Sequence, residues 1–270
     1  MRKIVVFTLL VMSISQPRCW AQSIADNAAL ADRFMIGIGG FYPTSSTTLR
    51  LDRPDGGVGT SIDFERTLGL DDKKLVFDAT GRWRFTERWR VEAEYFALNR
   101  SGTRTTDRQI NWGSQIFPSN VQLNSSLDFS DTRISVGYSF FKTEDKEVGA
   151  SLGAHVAKYD AGVDSPQLQE RQGAKVTAPL PVLSLYGEFA LTRAWAVGVR
   201  LDRFALSYGD YDGNITAVNL DVQWEIFRHF IVLGGYRNFF VKLDANKDKW
   251  HGRIDQSYQG PILQLQASFR

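Results

Sequence analysis

The chain has 270 residues, 32 basic and 30 acidic side chains, 13% aromatic residues and a single cysteine, Cys19. One cysteine excludes disulfides, a dithiol redox pair and a thiolate-built metal centre. The near balance of charge provides no basic footprint for a nucleic-acid partner.

The N-terminus opens with Arg2 and Lys3, followed by an apolar run from Ile4 to Ile14 and a polar stretch that ends Cys19-Trp20-Ala21. This order predicts a secretory signal peptide over 1–21, cleaved after Ala21. The apolar run is shorter than the roughly 20 residues a spanning helix needs. Loss of Arg2, Lys3 and Arg18 leaves 29 basic residues against 30 acidic ones, so the mature chain is near neutral. No later segment carries a long uninterrupted apolar run. Export without a helical anchor leaves a soluble periplasmic protein or an outer-membrane barrel.

Ile24 to Asp32 reads as a short periplasmic lead-in with helical character, and Arg33 to Tyr42 as the first strand. Thr47 to Asp52 and Thr60 to Thr67 look extended around the turn signal Pro54-Asp55-Gly56-Gly57, with Leu68 to Lys74 as a second turn. Residues 74–101 alternate most clearly. Leu75, Phe77, Ala79, Trp83 and Phe85 share one face, opposite Asp78, Arg82 and Arg84. After a turn at 86–88, Trp89, Val91, Ala93 and Tyr95 oppose Arg90, Glu92 and Glu94. Gly102 to Ser126 shows no sustained apolar face and reads as strand extensions joined by a loop. Further alternating strands are predicted near 120–141, 146–160, 175–190, 194–208, 213–227, 229–243 and 257–269.

Two regularities choose a barrel over a sandwich. Short turns at 86–88, 142–146, 191–193 and 227–229 alternate with mostly longer polar connections. Aromatic residues gather at the short-turn ends: Phe85, Trp89, Phe140, Phe189, Trp195, Trp224, Phe230 and Phe269. A membrane-interface girdle predicts that clustering. The expected fold is therefore all-β: a single antiparallel up-and-down transmembrane barrel over 22–270, of about ten strands, or about twelve if two extended segments in 44–73 join the wall. Segments 44–73, 102–126, 161–180 and 244–256 are candidate extracellular loops or strand extensions.

The inward faces then carry Asp78, Arg82, Arg84, Arg90, Glu92, Glu94, Arg133, Glu188, Arg200, Asp202, Asp221, Glu225 and Arg237. Their mixed signs and bulk predict a salt-bridged plug, with a selectivity lining for a narrow pore as the alternative. His155 points inward beside Ser151 and Tyr159, as a hydrogen-bonding lumen residue. Asp244, Asn246, Asp248 and Asp255 have a calcium-loop spacing, but Lys249 replaces the turn glycine and Lys247 adds a repelling charge, so no metal is expected. Arg50, Arg53, Arg104, Arg108 and Arg171 lie in outer segments, where they would meet lipopolysaccharide phosphates or simply water.

The closing stretch from Tyr258 to Phe269, with Gly260, Leu263, Leu265 and the near-terminal Phe269, resembles the C-terminal signal of bacterial outer-membrane barrels. The chain ends one residue later, at Arg270. The pattern from Gly59 to Asp72 is similar to that of a proteobacterial group of such barrels with no assigned activity. The resemblance implies a Gram-negative outer-membrane location, an outer-membrane lipid and lipopolysaccharide environment, and recognition by the barrel-assembly machinery. The expected role is non-enzymatic, structural or surface-interacting, in a monomer with a charged, plugged lumen and no cofactor. A narrow passive channel for small solutes is the first alternative and a lipid A-modifying enzyme the second. One deacylase class of barrels pairs a His with a Ser in a His-x-Ser arrangement; here Val156 and Ala157 follow His155.

Overall fold

The computed structural model describes residues 27–53, 57–208, 211–247 and 250–270; the expected signal peptide, 1–21, lies outside them. In chain order the elements are α1 (Ala28–Ala31), β1 (Phe34–Phe41), β2 (Thr44–Leu51), β3 (Ser61–Asp63), α2 (Phe64–Leu68), β4 (Val76–Arg84), β5 (Trp89–Thr105) and β6 (Ile110–Trp112). There follow β7 (Gln115–Phe117), β8 (Gln122–Lys142), β9 (Lys146–Ser165), β10 (Glu170–Ala190), β11 (Trp195–Tyr208), β12 (Tyr211–Phe227), β13 (Phe230–Lys247) and β14 (Trp250–Phe269).

Ten antiparallel strands make the wall: β1, β4, β5 and β8 through β14, each paired with the next. β1 closes the ring on β14, from Phe34 opposite Phe269 to Phe41 opposite Ile262. The strand count is ten, not twelve. β2 does not form a separate wall strand; it continues up the same edge of β14 that β1 occupies, from Thr44 opposite Gln259 to Leu51 opposite Gly252. Pro43 interrupts the run because it has no N–H to give the ladder. Gly260 lies beside the break, where a Cβ would overlap the Tyr42 carbonyl.

The extended reading of 60–67 is corrected. Only Ser61–Asp63 is a strand, and α2 follows. The Asp63 carboxylate accepts the Arg66 amide at 2.7 Å, and Gly69 ends the helix in the left-handed region at φ 75°. β4 pairs with β5 only up to Asp78 opposite Phe96, so the upper part of β5 lacks a strand on that side. α2 and its flank fill the gap. Arg104 donates to the Arg66 carbonyl, Lys74 reaches the Asn99 carbonyl at 2.5 Å, and Arg100 pairs with Glu65.

The wall reverses its polarity partway up. On β5 the outward residues run Trp89, Val91, Ala93, Tyr95, Ala97 and then Asn99, Ser101 and Thr103, while the inward ones run Arg90, Glu92, Glu94 and then Phe96 and Leu98. On β8 the outward stripe from Phe140 to Thr132 gives way to Ser130, Asp128 and Ser126, and inside Arg133 and Asp131 give way to Phe129, Leu127 and Leu123. The same change occurs inside β13, between Arg237 and Phe239. An apolar exterior of about nine residues per strand is the length a tilted strand needs to cross hydrocarbon. Above it, water outside and an apolar core inside restore the arrangement of a soluble protein.

That core was not foreseen, and the reading of 102–126 as lacking an apolar face is corrected. Leu123 is buried there, and the β6–β7 hairpin puts Ile110, Trp112 and Phe117 into the core with no exposure. Phe41, Phe96, Phe129, Tyr159, Phe239 and Tyr258 pack ring against ring below it, with Phe129 and Tyr258 5.0 Å apart and Phe96 edge-on to Phe41 at 5.6 Å. Segments 161–165 and 170–180 are regular strand, as are 244–247 and 250–256.

Candidate functional site

The membrane-level lumen holds one connected chain of alternating charge. Arg82 meets Glu188 at 2.5 Å, and Glu188 also takes Arg90 at 3.0 Å and Arg84 at 3.5 Å. Glu147 bridges Arg84 at 2.5 Å and Arg90 at 3.5 Å. Arg90 continues to Glu92 at 3.0 Å, Glu92 to Arg133 at 3.3 Å, and Arg133 to Asp202 at 3.4 Å. Arg200 lies 3.3 Å from Asp202 and pairs with Glu94; Glu94 also pairs with Arg237, which ends the chain on Asp78 at 2.6 Å.

Six guanidinium groups thus face six carboxylates. The period of two on β4 and β5 supplies Asp78, Arg82, Arg84, Arg90, Glu92 and Glu94, and the facing strands supply the rest. Planar guanidinium forks let Arg84, Arg90, Arg133, Arg200 and Arg237 each bridge at least two acids. The Arg90 guanidinium also lies 3.4 Å from the centre of the Tyr186 ring. Tyr186 and Ser139 hydrogen-bond at 2.9 Å, and Ser139 donates to Glu147 at 2.5 Å.

His155 joins this chain from the side. Its Nδ1 lies 2.7 Å from Asp131 and its Nε2 3.7 Å from Asp202, and its ring packs 5.4 Å from Phe239. It sits at the border between the charged and aromatic tiers. Ser151 and Tyr159 are buried near it in sequence, and neither the Ser151 hydroxyl nor the Tyr159 hydroxyl has a hydrogen-bond partner among the described residues.

Two predicted lumen residues stand outside the chain. Glu225 is at the short-turn end, facing the Ala28 amide. Asp221 lines a cavity of about 130 Å³ together with Arg82, Arg133, Arg200, Arg237, Gln223 and Gln266. Glu147 and Asp131 escaped the sequence reading. Glu147 directly follows the Lys142–Lys146 turn, and the inward parity of the next strand, Glu147 to His155, would have found it.

α1 closes the mouth at the short-turn end of the barrel. Arg82 and Arg84 donate to the Ala29 carbonyl at 2.7 and 2.9 Å, and Arg84 also reaches the Asp32 carbonyl at 3.0 Å. Asn27 caps α1 and donates to the carbonyls of Thr192 (2.9 Å) and Arg193 (3.1 Å) in the β10–β11 turn. Around that rim lie the predicted aromatics. Phe85, Trp89, Phe140, Trp195, Trp224, Phe230 and Phe269 are exposed and Phe189 is half-buried. Trp195 and Trp224 stack at 5.3 Å, and Phe269 stacks on His229 at 5.5 Å. Leu263 and Leu265 face outward in the same belt. Of the outer arginines, Arg50 pairs with Asp52 at 2.9 Å, and Arg108 and Arg171 are exposed. No cluster of three or more metal-binding side chains occurs among the described residues.

No protein-family model matches the chain, and no curated protein sequence does. Among solved structures, the outer membrane protease OmpT from Escherichia coli superposes with a TM-score of 0.63 at 12% identity, over 88% of this chain and 97% of that one. OprG from Pseudomonas aeruginosa gives 0.39 at 12% identity over 88% and 96%, and Ail from Yersinia pestis 0.35 at 12% over 86% and 98%. The fold is that of small outer-membrane β-barrels. At this identity the likeness to OmpT extends to the fold alone.

Proposed function

We propose that the chain is an integral outer-membrane barrel that works through its outer surface rather than by passing solutes or by catalysis. One observation carries this reading: the lumen is occupied in successive tiers. α1 covers the periplasmic mouth, the alternating charge chain fills the membrane level, and the aromatic core with the β6–β7 hairpin fills the outer level. A hydrated ion crossing it would have to displace both buried ion pairs and packed rings.

The outward belt of apolar residues and the aromatic rim suit a bilayer, and the signal peptide expected over 1–21 supplies the route to the outer membrane. The polar exterior of the upper tier, with Arg108 and Arg171, is the face offered to lipopolysaccharide or to a partner. OmpT is a protease, which gives the enzyme reading some footing through the fold. Against it, His155 is buried beneath Phe239, and His229 is spent on the Ser268 carbonyl at 2.8 Å on the periplasmic side.

Conductance of the refolded protein in a planar bilayer tests the proposal. Insertion without current supports it. Steady, salt-dependent openings would make the charge chain a selectivity lining and the protein a narrow channel.

A further inference from the structure

The outer surface of the wall carries a hollow of about 460 Å³ where β5, β8, β9 and β10 run side by side. It lies where the outward residues change from apolar to polar. The last row of the lipid-facing stripe is Tyr95, Thr132, Val156 and Pro179, each opposite the next. Above it stand Ala97, Ser130, Lys158 and Thr177, and above those Asn99, Asp128, Asp160 and Lys175. Ala97 and Ser130 are short and half-buried and form the floor, while the longer Tyr95, Lys158 and Lys175 form the rim.

Two lysines and two aspartates line the hollow, so its charges balance. One pair is already committed, with Lys175 Nζ 2.6 Å from Asp160. Lys158 and Asp128 are exposed, and neither makes an ion pair or a side-chain hydrogen bond among the described residues. Lys158 is opposite Ser130, so Asp128 lies on the diagonal, roughly 7–8 Å away between positions. One cation and one anion are therefore left open, side by side. A plain anion would set Asp128 against like charge, and a plain cation would do the same to Lys158. A zwitterion satisfies both. The apolar row below adds a second requirement, since an occupant seated here extends into hydrocarbon and must carry an apolar tail.

We infer that this hollow seats one phosphoethanolamine-headed glycerophospholipid, its phosphate on Lys158 and its ammonium on Asp128. The site rests on the reading of the chain as an integral membrane barrel. A lysine ammonium binds phosphate as a point charge. The ethanolamine ammonium brings three N–H donors, for the Asp128 carboxylate and the Asn99 and Ser130 side-chain oxygens in the same lining. A choline head carries the same two charges without an N–H, and a glycerol head offers no cation to Asp128. Beneath the head, Ala93 and Ala154 flank Ile134 on the lipid face and leave shallow tracks for acyl chains.

Native mass spectrometry of the full refolded chain tests the site, with release from micelles doped equally with phosphatidylethanolamine, phosphatidylcholine, phosphatidylglycerol and lipid A. The expected result is one phosphatidylethanolamine retained in preference to the other three. Retention should fall about tenfold in Lys158→Gln and in Asp128→Asn. It should be unchanged in Lys242→Gln, whose lysine pairs with Asp255 at 3.2 Å on β13 and β14. Equal retention of the four lipids, a preference for lipid A or phosphatidylglycerol, or parental behaviour of both groove variants would overturn the proposal. Should the variants fail to fold, the parent alone decides, because the ethanolamine and choline heads differ only in methylation of the nitrogen; no preference between them refutes the site. Failure of the parent to insert into vesicles overturns the barrel reading, whereas insertion without head-group preference overturns this site alone.

Discussion

Arg84 meets Glu147 at 2.5 Å at a point where neither side chain reaches solvent to any useful extent, 3% and 1% exposed. Breaking such a pair leaves one buried charge stranded. Arg84→Met or Glu147→Gln is expected to destabilise the barrel by about 3–5 kcal/mol, while replacing both partners with methionine recovers much of the loss. Urea unfolding in lipid vesicles measures the three variants; equal losses for the single and double replacements would count against a connected charge chain.

The reversal of polarity along β8 predicts a position-dependent response to lysine. Val136→Lys, in the middle of the outward apolar stripe, should cost about 2–4 kcal/mol. Ser126→Lys, outward but above the stripe, should change stability by less than about 0.5 kcal/mol. The same unfolding assay reads both, and comparable costs at the two positions would contradict the placement of the bilayer.

Removing a ring from the outer core opens a cavity that lipid cannot reach. Phe129→Ala should therefore cost about 3–5 kcal/mol, well above Ile134→Ala on the lipid-facing side of the same strand. Guanidinium unfolding midpoints for the pair provide the comparison.

Tryptophan position can be checked by light. Trp89 lies exposed at the short-turn rim and Trp112 is fully buried in the core at the opposite end. In variants that retain only one of these residues, lipids brominated near the headgroup should quench Trp89 strongly and leave Trp112 unaffected. Similar quenching of both would place the hairpin outside the barrel.

The alternation that defined the ten strands was legible because period-two burial depends only on local sequence. Arg82, Arg84, Arg90, Glu92 and Glu94 could be assigned inward from parity alone, and the distant pairing partner could not, since Glu188 lies 98 positions from Arg90 and 106 from Arg82. The outer core was hidden for a different reason. The apolar positions of β5 move from odd to even numbers between Ala97 and Leu98, and a scan for one continuous stripe reads that shift as the end of a strand. On β8, Leu123 and Leu127 stand among Asn124, Ser125 and Ser126, so a buried face looked like a polar loop. α2 was missed because Asp63 and Gly69 bracket only one turn, too short for helical periodicity to register.

The handover from β1 to β2 along one edge of β14 bears on how the molecule is born. β14 pairs with β13 on one side, and on the other it joins the membrane-level rim at Phe269 and the outer tier at Gly252. These 20 residues follow every other wall strand in the chain. Until they arrive, the lipid-facing half and the water-facing half both have an open seam, so two walls of opposite chemistry are completed by a single late event. A nascent chain stopped before Trp250 would then lack a closed tier at either level, and would present unpaired strand edges to hydrocarbon and to water alike.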